Sequence, residues 1–276
     1  MPSLKQRIPT RLKSPVRRWK WQYRQATWHR RALPDFIIIG AQKSGTSSLH
    51  YYLTQHPQIL PAYKKEIHFF DGGLTPGVDN FEKGQAWYRA HFPLKKNISD
   101  HQKTFEASPP YMVNPIAPKR IFDLVPKVKI IAVLRNPTER AISHYFHNQR
   151  KNWEPLSIYE ALQEEEKRLE NDIFRRNYYK SRGLYKYQLE RYLNYFSWQQ
   201  ILVINSEDFF AKPDKTLKRV FDFVGVDTEF NVQNLNPRNV ASNKSDVPPE
   251  VYEYLNSYFL PHNQALYELV GESYGW

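Results

Sequence analysis

Three groups of residues in this 276-residue chain have the types and spacing for chemistry on an anion. The first is Gly40-Ala41-Gln42-Lys43-Ser44-Gly45-Thr46-Ser47-Ser48, two glycines bracketing a lysine and followed by three hydroxyls. Glycines let backbone N–H groups turn toward an anion, and a helix starting near Thr46 would add its positive end. The second runs from Arg135 to Ser143, an arginine ahead of Asn136-Pro137 with a serine about two helical turns further on. A forked guanidinium plus a hydroxyl suits a terminal phosphate monoester. The third is Glu66 and His68, which share one face of an extended segment, with Ile67 and Phe69 on the other. A carboxylate is a poor base at neutral pH unless desolvated. Phe69 and Phe70 favour desolvation while Lys43 and nearby bases oppose it, and the sequence leaves that balance open.

Positioning these groups takes a strand, a loop and a helix, twice over. Phe36-Ile37-Ile38-Ile39, bounded by Asp35 and Gly40, reads as a buried parallel strand. Leu49 to Leu53 has helical spacing and stops before Pro57. Val128–Leu134 and Ile201–Ile204 read as further buried strands, and Thr104–Ala107 as a short fourth. Asn136 is a good helix cap, Pro137 suits the first helical position and Glu139 completes the cap, so Arg135 falls at a strand's carboxyl edge. Ser157 and Glu160 form a capping box for a helix over 157–170. Asp214 caps and Gly225 stops a helix over 214–224, and a last helix over 262–270 ends at Gly271. The alternation predicts an α/β, three-layer, P-loop-like fold, its central and mainly parallel sheet flanked by helices and binding ligands at the strands' carboxyl ends. Gly40 and Gly45 have Walker A spacing, but Thr46 stands where that motif needs its lysine, and Arg135 rather than a carboxylate follows Leu134. A nucleotide kinase or triphosphatase is disfavoured on that ground.

Composition narrows the partners. A 41% hydrophobic fraction fills a core, which excludes wholesale disorder. The absence of cysteine excludes disulfides, thiolate metal sites and thiol catalysis. The net charge of +12 is local: residues 1–34 hold ten bases and no acid, leaving 30 bases against 28 acids in 35–276. The division expected is therefore a basic, aromatic-containing extension over 1–34 and a nearly neutral domain over 35–276. Trp19, Trp21, Tyr23 and Trp28 suit the extension to peripheral contact with an anionic membrane surface, to an anionic polymer, or to packing on the body. Nucleic-acid binding is not expected, because the basicity stops at the folded part. No apolar run is long enough for a secretory h-region or a membrane span, and with the missing cysteines this points to the cytoplasm. His144 and His147 lie one helical turn apart with no third ligand in view, so they read as surface or cleft residues and no metal is expected.

The two anion loops together resemble the nucleotide-binding pair of sulfotransferases that use 3′-phosphoadenosine-5′-phosphosulfate (PAPS), most of all the heparan sulfate N- and 3-O-sulfotransferase domains. Ile38–Leu49 looks like their 5′-phosphosulfate loop, and Lys64-Lys65-Glu66-Ile67-His68-Phe69-Phe70-Asp71 is similar to their catalytic strand. Trp87-Tyr88-Arg89, Glu106–Tyr111, Arg135–Ser143, Gly183–Arg191 and Pro261–Gln264 follow in the family's order, so the likeness covers about residues 35–276. The resemblance implies that Lys43, Gly45, Thr46, Ser47 and Ser48 hold the 5′-phosphosulfate. It gives Arg135 and Ser143 the 3′-phosphate and sets Tyr185 near the nucleotide. It makes Glu66 the general base with His68 assisting, while Lys43 meets the leaving phosphate oxygen. Trp87, Arg89 and Tyr111, with flat faces and a positive group, would meet a glycan acceptor together with Asp71. In place of the family's Lys-Gly-Arg loop stands Ser242–Asp246, where Lys244 is the base that carries over, and Ala107 replaces a lysine usual in the heparan type. A non-catalytic polyanion-binding module is the remaining alternative; the presence of Lys43, Glu66, His68, Arg135 and Ser143 argues against it.

Overall fold

A computed structural model describes residues 10–75, 77–170, 175–238 and 247–276. One sheet is built from β1 (Phe36–Gly40), β2 (Ile59–Pro61), β3 (Lys103–Ala107), β4 (Lys129–Leu134) and β5 (Ile201–Asn205). Their order is β2-β3-β1-β4-β5, and every adjacent pair is parallel. Phe36 at the start of β1 stands opposite Phe105 on one side and Lys129 on the other. Parallel pairing therefore sets the carboxyl ends of β1 and β4 side by side, where ligands bind in such sheets.

Successive side chains of a strand point to opposite faces, so an apolar run such as 36–39 must feed two cores. Ile37, Ile39, Ile130, Ala132 and Leu134 join one; Phe36, Ile38, Ile131 and Val133 join the other. The helices follow in chain order. They are α1 (Thr10–Ala26), α2 (Thr46–Leu53), α3 (Gly84–Arg89), α4 (Ala117–Leu124), α5 (Pro137–Gln149) and α6 (Ile158–Gln163). Then come α7 (Glu165–Glu170), α8 (Tyr185–Leu193), α9 (Ser206–Ala211), α10 (Pro213–Val224) and α11 (Pro249–Val270). α4 and α8 cover the first face, α2 and α10 the second, which makes the expected three-layer α/β arrangement. Each fully buried Leu or Ile in these faces contributes about 1.5–3 kcal/mol. A third core joins α5 to α11 through Ile142, Tyr145, Leu255 and Phe259, and so fixes the helix that follows Arg135.

Several boundaries differ from the sequence reading. Residues 157–170 form two helices behind the expected Ser157–Glu160 box. Asp214 lies in the first turn of α10 rather than at its cap, while Gly225 does end it in the left-handed region. The last helix begins at Pro249, not 262, and carries Pro261 inside it. A proline costs an interior helix one hydrogen bond, which made Pro261 read as a start. Residues Thr10–Ala26 of the extension are helical as α1, and its last turn and the segment that follows are tied to the body: Arg24 donates to the carbonyls of Ala90 (2.6 Å) and Phe92 (2.9 Å), and buried Arg31 to Phe92 (2.8 Å).

Candidate active site

The first loop leaves the sheet centre at Gly40 and enters α2 through Gly45, whose φ of +96° suits glycine. A Cβ there would also lie 2.9 Å from the Phe210 ring. Thr46 and Ser48 are buried, and Ser48 Oγ accepts from the Arg238 amide (2.9 Å). Lys43 is half-buried and has no ion pair among the described residues. Burial lowers its ammonium pKa, and Arg150, Arg135 and Arg140 lower it further. Arg140 is fully buried; one nitrogen donates to the Tyr179 carbonyl, and Nε and Nη1 find no hydrogen-bond partner among the described residues. Positive charge is thus concentrated at this edge of the sheet beyond what local carboxylates neutralise.

The second loop carries Arg135 directly beyond β4. Asn136 Oδ1 accepts from the Glu139 amide (3.2 Å) and Pro137 opens α5, as expected. Glu139 does not close the box. Its carboxylate pairs with Arg135 at 3.1 Å, and the Asn136 amide turns to Glu207. Arg135 also donates to the Lys43 carbonyl (3.3 Å), and the Tyr185 hydroxyl donates to the Arg135 carbonyl (2.9 Å). The two loops are therefore joined, and Ser143 is buried on α5.

The segment bearing Glu66 and His68 is not a strand. It follows the edge of β3 irregularly, with the Ala62 amide on the Phe105 carbonyl (2.8 Å) and the Glu66 amide on that of Ala107 (2.9 Å). Glu66 and His68 have φ of +60° and +56°, and Lys43 has +74°; Asn152 is the other described non-glycine residue in that region. Left-handed backbone costs a side-chain-bearing residue about 1–2 kcal/mol, and such conformations cluster at functional sites. His68 sits between two acids, Nδ1 at 2.8 Å from Asp71 and Nε2 at 3.8 Å from Glu66. Burial alone would lower its imidazole pKa, but these carboxylates raise it to about 9. The interaction of Glu66 with His68 outweighs burial, and pairing with Lys65 adds to it, holding the Glu66 carboxyl at about 2. The balance left open by the sequence falls to the cations.

His147 lies within the electrostatic reach of both Lys43 and Glu66. Burial lowers that imidazole pKa, Lys43 lowers it further and Glu66 raises it, so this ring of α5 feels the charge of both. Glu66 similarly opposes the burial that takes His50 of α2 down to about 4. The acceptor residues fare differently. Tyr111 is fully buried with its hydroxyl on Glu106 (3.2 Å), out of reach of an acceptor. Arg89 donates to the Arg31 carbonyl and lies over the Trp28 ring, so it fastens the N-terminal segment. Half-buried Trp87 packs on Phe69, His91 and Trp21. Asp71 stays at the site as the partner of His68. His144 is a core residue rather than a surface one, and Lys244 lies outside the described residues.

The sequence assigned Arg140 and Glu106 no role of their own, and His147 only a surface or cleft position. Arg140 looked like an ordinary helical arginine, and only the fold brings the Tyr179 carbonyl of the 175–183 segment onto it. Glu106 falls within a short apolar strand, where an acid was itself the signal.

A sulfotransferase domain model matches residues 33–264. The chain is 36% identical over 214 residues to the mouse bifunctional heparan sulfate N-deacetylase/N-sulfotransferase 4, covering 72% of this chain but 23% of that protein. It is 30% identical over 270 residues to human heparan sulfate glucosamine 3-O-sulfotransferase 5, covering 88% of this chain and 74% of that one. Among solved structures, a sulfotransferase from Alicyclobacillus acidocaldarius superposes with a TM-score of 0.74 at 34% identity, over 88% of this chain and 97% of that chain.

Proposed function

Since the chain belongs to the sulfotransferase domain family, we propose that it moves a sulfuryl group from PAPS to a hydroxyl or amine of a glycan. The observation that carries this reading is the joining of two anion loops by the Arg135–Lys43 contact. The unneutralised charge of Lys43 and Arg140 fits a ligand with several anionic groups. Lys43, Gly45, Thr46, Ser47 and Ser48 would hold its 5′ end, and Arg135, Ser143, Tyr185 and Lys244 its 3′-phosphate side.

PAPS supplies sulfur already activated by its bond to phosphate. Lys43 would neutralise charge on the departing phosphate oxygen, a role in which a preorganised cation is effective. Glu66, ionised across the neutral range, would take the acceptor's proton. His68, protonated at neutral pH, would hold Glu66 and orient the acceptor rather than act as base. These cations can meet the charge of transfer, so the reading calls for no metal. Residues 35–276 would form the transferring unit in the cytoplasm, with the 1–34 extension touching an anionic membrane surface. Val16, Trp19 and Tyr23 support that contact: they stand exposed on α1, opposite the Trp21 and Arg24 that pack on the body.

Transfer from radiolabelled PAPS to heparosan, N-deacetylated heparosan, glycolipids and small alcohols tests the function. Label should enter a glycan, and Glu66→Gln should slow it by about 10²–10⁴-fold while 3′-phosphoadenosine-5′-phosphate (PAP) still binds. Wild-type rates in Glu66→Gln contradict the base assignment, and label confined to small alcohols contradicts the glycan.

A further inference from the structure

We propose that Glu106 is a positioning residue: through the hydroxyls of Ser108 and Tyr111, it holds the left-handed turn at Glu66–His68 in its working shape. Its link to catalysis rests on the sulfotransferase reading, whereas its hold on the turn does not.

Glu106 is fully buried in β3, opposite Ile37 of β1, and has no ion pair among the described residues. A carboxylate in such a place is costly, and an apolar side chain would pack there more cheaply. Three hydroxyls serve it instead. Tyr88 donates at 2.6 Å, Ser108 at 2.9 Å and Tyr111 at 3.2 Å. Two of the three also accept from the turn: the Phe69 amide donates to Tyr111 Oη at 3.0 Å and the His68 amide to Ser108 Oγ at 3.4 Å.

A hydroxyl has one proton to give. With that proton on Glu106, the lone pairs of Ser108 and Tyr111 are left to face the turn's amides. An ionised Glu106 thus sets the direction of both links. A neutral side chain with a donor of its own would oblige a hydroxyl to accept from it and so would disturb one link. The turn needs such support because Glu66 and His68 both lie in the left-handed region. Further backbone ties of the turn among the described residues are the Glu66 amide on the Ala107 carbonyl (2.9 Å) and Asn80 Nδ2 on the His68 carbonyl (2.8 Å). Tyr88 touches Glu106 but makes no hydrogen bond to the turn, which provides an internal control. Burial raises the Glu106 carboxyl to about 7, with Tyr88, Ser108 and Tyr111 pulling it down and Asp71 adding to the rise.

The test uses the full chain as Glu106→Gln, Tyr111→Phe, the double variant and Tyr88→Phe. His68 is followed by imidazole nitrogen NMR across pH, transfer to heparosan by label, and PAP affinity by calorimetry. Glu106→Gln and Tyr111→Phe should each move the His68 midpoint from about 9 toward its ordinary 6.5, as the clamp with Glu66 and Asp71 loosens. Each should slow transfer by about tenfold or more with PAP affinity unchanged, and the double variant should be no worse than the poorer single one. Tyr88→Phe should leave the His68 midpoint in place. A wild-type His68 midpoint in folded Glu106→Gln or Tyr111→Phe overturns the proposal. Should Glu106→Gln not fold, Tyr111→Phe decides; should heparosan accept no sulfate, the His68 midpoint still decides.

Discussion

At the scale of residues, the site is a set of charges that fix one another. His68 is positive at neutral pH because Asp71 and Glu66 flank it, so it cannot also take a proton from an acceptor. Glu66 is ionised but weakly basic, and its side chain is 43% exposed. An acceptor covering it would strip its water and raise its proton affinity. Lys43 has no carboxylate partner among the described residues. Lys43→Ala should lower the transfer rate by about 10²–10³-fold while weakening PAP far less, as measured by kcat and by calorimetry; equal losses would mean that the lysine only binds. The identities of Glu66, His68, Lys43 and Arg135 were legible as chemistry in the sequence. Their backbone was not, since nothing marks a glutamate and a histidine for left-handed φ, and an extended segment was the natural expectation. Tyr111 and Arg89 misled for a related reason. An aromatic ring or a guanidinium suits a sugar and a core or a carbonyl equally, and only packing distinguishes them.

At the scale of elements, the strand–loop–helix units were legible because their signals are local. Four β-branched or aromatic residues before a glycine made β1, and Asn136-Pro137 made the start of α5. β2 went unseen because three residues ending in proline carry almost no periodicity; only an edge position tolerates that missing N–H. The extent of α11 was hidden by Pro261, whose cost is offset by burial of Leu255 and Phe259 against α5. α1 was hidden by Pro15 and by its charge density. Its exposed Val16, Trp19 and Tyr23 recur at helical spacing beside exposed Arg17, Arg18 and Lys20. Trp19→Ala with Tyr23→Ala should therefore reduce sedimentation with phosphatidylserine vesicles and leave transfer to a soluble glycan unchanged. Undiminished vesicle binding would assign any lipid contact to another surface.

At the scale of the molecule, buried titratable groups shape its stability against pH. His68, raised above its ordinary 6.5 to about 9, adds stability that is complete below 6.5 and is lost as pH rises through 9. His50 and His91 are held near 4 by burial, so stability should also fall as pH drops from 6.5 toward 4. Glu106, raised to about 7, works against those two histidines over the acid range. Scanning calorimetry should find a maximum near neutrality, with His68→Gln abolishing the alkaline decline; a wild-type melting temperature that rises from pH 7 to 9 would contradict the charge arrangement. The whole arrangement serves one task, the grip of the two strand-end loops on a nucleotide with phosphates at both ends. Calorimetric titration with PAP and with adenosine 5′-monophosphate tests this most directly. PAP should bind more tightly by about 10- to 100-fold, the worth of one charged hydrogen-bonded contact, and Arg135→Ala should erase the difference. Equal affinity for the two nucleotides in the wild-type chain, or no binding of PAP, would contradict the account.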